Sequence, residues 1–154
     1  RLAAPAGREP AVHLITTPLS FRAGFKARVE EQTAGAVPLR VMLWNPRNFS
    51  SFDLVFGPGG ELQASLVESR GRTARLYNLG RYEPGIPYDV TIEWRRGQGA
   101  SLSAAGPDGQ RRAQIAAKEA PALFDAYRPS LTVVSSIGPV MPGIVTTGAS
   151  TSAW

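Results

Sequence analysis

Leu19-Ser20-Phe21-Arg22-Ala23-Gly24-Phe25-Lys26-Ala27-Arg28-Val29-Glu30 is the stretch on which the fold assignment turns. Every second residue, from Leu19 to Val29, is apolar, and the intervening positions are polar, charged or glycine. A period of two places one set of side chains on each face of an extended chain, which makes this a half-buried antiparallel strand. Wound as a helix, the same residues would scatter their apolar groups around the whole circumference. Gly24, at the centre of the run, marks a bulge or bend in this reading.

The same signal recurs along the chain. Leu39, Val41 and Leu43 share one face of a second strand, while Met42 and Trp44 lie on the other. Phe52, Leu54 and Phe56 alternate next, and Gly57-Pro58-Gly59-Gly60 turns the chain into a return strand over 61–68 with Leu62, Ala64 and Leu66 inward. That pair is a hairpin. After a turn at 69–72, 73–79 is extended. Tyr88, Val90, Ile92 and Trp94 give the second cleanest alternation, with Trp94 in phase with the core set. Gly97–Gly99 and the turn Gly106-Pro107-Asp108-Gly109 bracket a strand over 101–105 and its return over 110–117. Lys118–Tyr127 reads as the one short helix, with Pro121 in its first turn, where proline is tolerated. Leu131–Ser136 is a late strand, and Gly143–Thr147 is either a last strand or part of a tail. Roughly ten to twelve short strands at this spacing, with no βαβ unit, define an all-β antiparallel sandwich. Residues 1–10 read as a linker or leader, 11–147 as the sandwich domain and 148–154 as a C-terminal tail.

Composition narrows the function. The chain has 154 residues, 43% apolar and 19% charged, which suits one globular domain with a full core. It has no cysteine, so disulfides and thiolate metal sites are excluded. The chain starts at Arg1 rather than Met and holds no run of eighteen apolar residues, which fits a mature form or an excised domain and no membrane span in this segment. The net charge is +5, yet the arginines are spread along the chain. Spread arginines read as solvated strand faces, and nucleic acid is not the expected partner.

Catalytic arrangements are hard to build from these residues. His13 is the single histidine and adjoins no nucleophile motif. Asp89 and Glu93 share the outer face of one strand but lie ~13 Å apart at strand rise, too far for a retaining glycosidase pair, which needs ~5 Å. Gly57–Gly60 lacks the Lys-Ser/Thr of a phosphate loop. No enzyme activity and no cofactor are expected, although an all-oxygen calcium site drawing on Asp53, Asp89, Asp108 or Asp125 is compatible with the composition. Acids from different strands that converge in space would restore a hydrolase or lyase reading.

Aromatic and polar side chains together make sugar sites, because ring faces stack on the apolar faces of sugars while amides and guanidinium groups bond hydroxyls. Trp44 lies out of phase with the apolar face of its strand and leads into Asn45, Arg47 and Asn48. Tyr77 and Tyr82 flank Asn78 and Arg81. These six residues, Trp44, Asn45, Arg47, Asn48, Tyr77 and Tyr82, form the candidate ligand site. The competing reading is that both faces of the strand are buried and Trp44 fills a second small cluster.

The stretches LSFRAGFKARVE, PYDVTIEW, ASLSAAGPDGQ and SLTVVSSIG follow one another as an early alternating strand, a later strand with a core aromatic, a hairpin turned at Asp-Gly and a late strand. Over 11–147 this order resembles the concanavalin A-like lectin/glucanase superfamily, including laminin-G-like jelly rolls. The resemblance implies two curved antiparallel sheets and sugar binding on a concave face or rim loops, sometimes with calcium. The chain lacks the catalytic acid motif of the hydrolase branch and any calcium loop. The leading expectation is therefore a non-catalytic carbohydrate-binding module of a larger extracellular or cell-envelope protein, with a glycan or polysaccharide as partner. The alternative is a structural or protein-interaction sandwich that uses an open sheet edge or its Gly/Ser/Thr-rich C-terminus for a protein partner.

Overall fold

The structure, a computed structural model, describes residues 2–4, 11–17, 19–29, 39–68, 71–126, 128–135, 138–140 and 145–147. In chain order the strands are β1 (Leu2–Ala4), β2 (Ala11–Thr16), β3 (Phe21–Arg28), β4 (Leu39–Trp44), β5 (Ser51–Phe56), β6 (Glu61–Val67), β7 (Thr73–Arg81), β8 (Pro87–Arg95), β9 (Gly99–Gly106), β10 (Gly109–Ala116), β11 (Ser130–Ser135), β12 (Gly138–Val140) and β13 (Val145–Thr147). They form two antiparallel sheets. The six-stranded sheet runs β2-β11-β4-β5-β6-β7. The seven-stranded sheet runs β1-β12-β3-β8-β9-β10, with β13 also pairing to β3. The architecture is the all-β antiparallel sandwich that the alternation predicts, in the jelly-roll form that the family resemblance implies.

Packing follows from the period of two. From β3, Phe21, Ala23, Phe25 and Ala27 point inward, and from β8, Tyr88, Val90, Ile92 and Trp94 do the same. Leu39, Val41 and Leu43 of β4 and Phe52, Leu54 and Phe56 of β5 face them from the other sheet, all at most 1% exposed. Trp94, 1% exposed, stacks on Phe124 with ring centroids 4.3 Å apart. It is a core residue, as its phase in the sequence requires.

Two local expectations are corrected. Gly24 makes no bulge: the β3–β8 ladder runs in register from Phe21 opposite Trp94 to Arg28 opposite Pro87. The irregularities fall instead between β6 and β7, at Glu61/Gln63 and Leu66/Val67. The helix expected over 118–127 is two pieces, a 3-10 turn at Ala117–Glu119 and a single α turn, α1 (Pro121–Phe124). Ala120 separates them at φ −139° and ψ 61°, because a residue before proline is driven out of the α region. Tyr127 and the expected tail over 148–154 lie outside the described residues, and of the expected last strand only its end appears, as β13. The described strands number thirteen rather than ten to twelve. The surplus comes from three-residue strands, which are too short for any periodicity to register. Among the described residues no helix is long and apolar enough to cross a membrane.

Candidate functional site

The phase of β4 sends Arg40, Met42 and Trp44 to the outer face of the six-stranded sheet, where all three are half-buried. Trp44 donates from Nε1 to Thr132 Oγ1 of β11 at 2.9 Å, which pins the indole across two neighbouring strands. The chain then enters a tight loop, closed by the backbone bonds from Asn45 N to Ser50 O at 2.8 Å and from Phe49 N to Asn45 O at 2.7 Å. Two asparagines shape it. Asn45 accepts from Arg47 N and Asn48 accepts from Ser50 N, each turning the backbone two residues ahead. Both side-chain amides donate to one acceptor, Ala122 O of α1, at 2.9 Å each.

The result is an exposed ring on the sandwich surface. Phe49 is 68% exposed, and its ring lies parallel to that of Trp44, with centroids 5.9 Å apart and planes 12° apart. Its φ of 62° is, among the described residues, the one positive φ outside glycine. A left-handed phenylalanine costs about 1–3 kcal/mol, whereas an offset stack of two rings returns about 0.5–1.5 kcal/mol. The two are of the same order, so the ring adds little net stability. Glycine would adopt this backbone conformation without strain. Arg47 extends beside the loop, with its side chain 73% exposed and Asp125 at 3.9 Å.

The six residues singled out from sequence do not form one surface. Trp44 and Arg47 are presented outward. Asn45 is fully buried and Asn48 half-buried, and both spend their amides on the loop and on α1. Tyr77 and Tyr82 belong to the other side of the sheet. Tyr77 lies opposite Ala64 and meets Phe52 edge-on at 6.1 Å. Tyr82 is 4% exposed, packs edge-on against Phe56 at 5.1 Å and donates to Gly57 O. Burial pushes the Tyr82 hydroxyl up to about 12. Tyr77 lies within β7 and Tyr82 just beyond its end, so flanking Asn78 and Arg81 brings neither ring to Trp44.

Sequence reasoning passed over Phe49, whose signal was its place directly after the Asn45–Asn48 turn. It also passed over a charged pair on the same outer face. Asp53 lies opposite Met42 on β4 and Ser65 on β6, and it is fully buried. Arg40 grips its Oδ2 through Nε at 3.1 Å and through Nη2 as well. Oδ1 has no hydrogen-bond partner among the described residues, and burial raises the carboxyl above its ordinary value despite Arg40. No group of three or more acidic or histidine side chains that could hold a metal ion is present among the described residues. Of His13 the structure describes only the backbone, within β2.

No protein-family model matches the sequence, and no curated protein does either. Solved structures do. Sheep galectin-11 superposes with a TM-score of 0.61 at 14% identity, over 91% of this chain and 98% of that one. Tailspike protein 2 of an Escherichia coli O157:H7 bacteriophage superposes with a TM-score of 0.63 at 14% identity, over 97% of this chain but only 22% of that one. A winged bean acidic lectin, solved with methyl-α-D-galactose, superposes with a TM-score of 0.52 at 9% identity, over 90% of this chain and 67% of that one. The chain thus has the concanavalin A-like jelly-roll fold. That fold is shared by lectins and by a phage protein whose enzymatically active domain also contains the matching region, over 25% of its length, so the fold by itself does not decide catalysis.

Proposed function

We propose that this domain binds carbohydrate without transforming it, as a module of a larger extracellular or cell-envelope protein. One observation carries the reading: Trp44 and Phe49 present a stacked aromatic pair on the outer face of a lectin-like sandwich, on a loop strained to hold it there. Aromatic faces are the surfaces on which sugar rings stack, and Arg47 supplies a nearby hydrogen-bond donor for hydroxyls. The lectin superpositions support the reading through the fold alone. In this site Trp44, Phe49 and Arg47 touch the ligand, while Asn45 and Asn48 set the loop. A glycan array probed with the purified domain, with and without calcium, tests it. The expected outcome is saturable binding by the wild type that Trp44→Ala and Phe49→Gly abolish. A folded protein with a blank array would overturn it.

The second reading, a protein-interaction sandwich, is favoured by β7. This strand ends its sheet among the described residues and leaves Leu76 58% exposed. Such an edge can accept a strand from a partner. Capture of a single protein partner, abolished by a proline in β7 and untouched by Phe49→Gly, would favour it over sugar binding.

A further inference from the structure

The outer face of the seven-stranded sheet carries a groove that the aromatic site does not use. β9 places Ser101, Ser103 and Ala105 outward, all small. Its neighbours place long side chains beside them. Glu93 and Gln114 flank Ser101, and Thr91 and Arg112 flank Ser103. A central strand of small residues between strands of long ones is a trough, with walls two strand spacings apart, about 9.5 Å. At its end near Ser101 it opens into a cleft of about 510 Å³, closed by Gln98, Ala116 and Glu119.

The charges of this cleft are settled by its own partners, except for one. Glu93 is paired with Arg95 at 3.1 Å. Glu119 accepts from Ala116 N at 2.7 Å and from Arg75 at 3.2 Å. First the Ala116 N–H and then Arg75 hold the Glu119 carboxyl below its ordinary value, so it remains ionised and neutralised by its own donors. Arg112 has no ion-pair or hydrogen-bond partner among the described residues. The amides of Gln98 and Gln114 are likewise uncommitted there, and Ser101 offers a hydroxyl on the floor. The unmatched chemistry is thus one guanidinium fork surrounded by neutral hydrogen-bonding groups.

We infer that this groove is a second ligand site, which takes an acidic saccharide with a carboxylate-bearing unit on Arg112 and hydroxyls on Gln98, Gln114 and Ser101. The inference rests on the carbohydrate reading above, but it concerns the opposite face of the sandwich. A guanidinium matches a carboxylate with two parallel N–H donors, a geometry that a neutral sugar does not use.

Titration calorimetry with oligogalacturonate, its fully methyl-esterified form and a single-stranded oligonucleotide of similar length tests it on three proteins: the wild type, Arg112→Gln and Phe49→Gly. Arg112 is exposed, and both variants are expected to keep the wild-type circular dichroism and melting temperature. Losing one charge-assisted hydrogen-bonding partner weakens binding about tenfold. The expected result is that loss for oligogalacturonate on Arg112→Gln, little loss on Phe49→Gly, and no effect of Arg112→Gln on the esterified probe. Unchanged oligogalacturonate affinity in Arg112→Gln, or no binding of that probe by the wild type, overturns the groove and leaves the aromatic site standing if neutral glycans still bind. Tighter binding of the oligonucleotide with the same dependence on Arg112 overturns the saccharide assignment. Failure of every glycan, neutral and acidic, overturns the carbohydrate reading itself.

Discussion

Phe49 sits in a backbone conformation that suits glycine, and its ring is mostly in solvent. Replacing it with glycine removes a stack worth about 0.5–1.5 kcal/mol and relieves strain of about 1–3 kcal/mol. Phe49→Gly is therefore expected to melt at or slightly above the wild-type temperature by differential scanning calorimetry, while losing glycan binding. Asn45 behaves in the opposite way. It is fully buried, and its alanine variant leaves the Arg47 N–H without its acceptor and Ala122 O with only the Asn48 amide as donor. A loss of about 2–3 kcal/mol in urea unfolding is expected, whereas Asn48→Ala, nearer solvent, costs under about 1 kcal/mol. Asp53 makes stability depend on pH. Its folded value is raised above the ordinary 3.8, so the native state holds that proton more tightly than the unfolded chain does. This contribution is fully present below 3.8 and is lost as pH rises through the raised folded value. Melting temperature measured across that window is expected to carry a downward component in the wild type that Asp53→Asn lacks. Phase alone puts Asp53 on the outer face, but its complete burial there depends on Arg40 and on neighbouring strands, which no local pattern reveals.

At the scale of elements, the strands marked by alternation and turn signals, the β5–β6 and β9–β10 hairpins among them, were legible, whereas the three-residue strands β1 and β12 carried no signal. β3, β4 and β8 each repeat the period of two over six residues or more, and their inward sets are the observed core. Lys118–Tyr127 misled because its composition is helical, while the one residue that splits it, Ala120, is set by the proline that follows. Tyr77 and Tyr82 misled because their nearness in sequence to Asn78 and Arg81 does not say which face of the sheet a ring takes, and the β6–β7 ladder slips twice. The β9–β10 hairpin contains a sharper constraint than its glycine-rich composition announces. A Cβ on Gly99 would lie 2.5 Å from Ile115 O, a backbone atom that cannot swing away. Gly99→Ala is expected to destabilise the domain by about 1–3 kcal/mol in chemical denaturation, through displacement of the β9–β10 pair. A smaller effect would mean that the two strands are free to spread.

Across the whole molecule, the sandwich separates what it buries from what it offers. The facing sheets enclose the apolar sets, and each outer face carries its own chemistry: aromatic rings beside Arg47 on one, and a polar trough around Arg112 on the other. The fold class was legible because burial on one face of every strand writes itself into the sequence. The site was legible only in part. Trp44 stood out by its phase, but its ring partner lies in a loop whose shape comes from two side-chain bonds to a distant turn. The Trp44–Phe49 pair is the surface proposed to receive a sugar. Of the three tryptophans, Trp94 is sealed in the core, and in a Trp154→Phe background Trp44 is the one whose emission answers to a ligand on this surface. The most direct measurement is a fluorescence titration of that protein with a glycan taken from the array. The expected result is a saturable change in emission, absent from the same protein carrying Phe49→Gly. Saturable binding by calorimetry with no change in emission, or a change that survives Phe49→Gly, would contradict it.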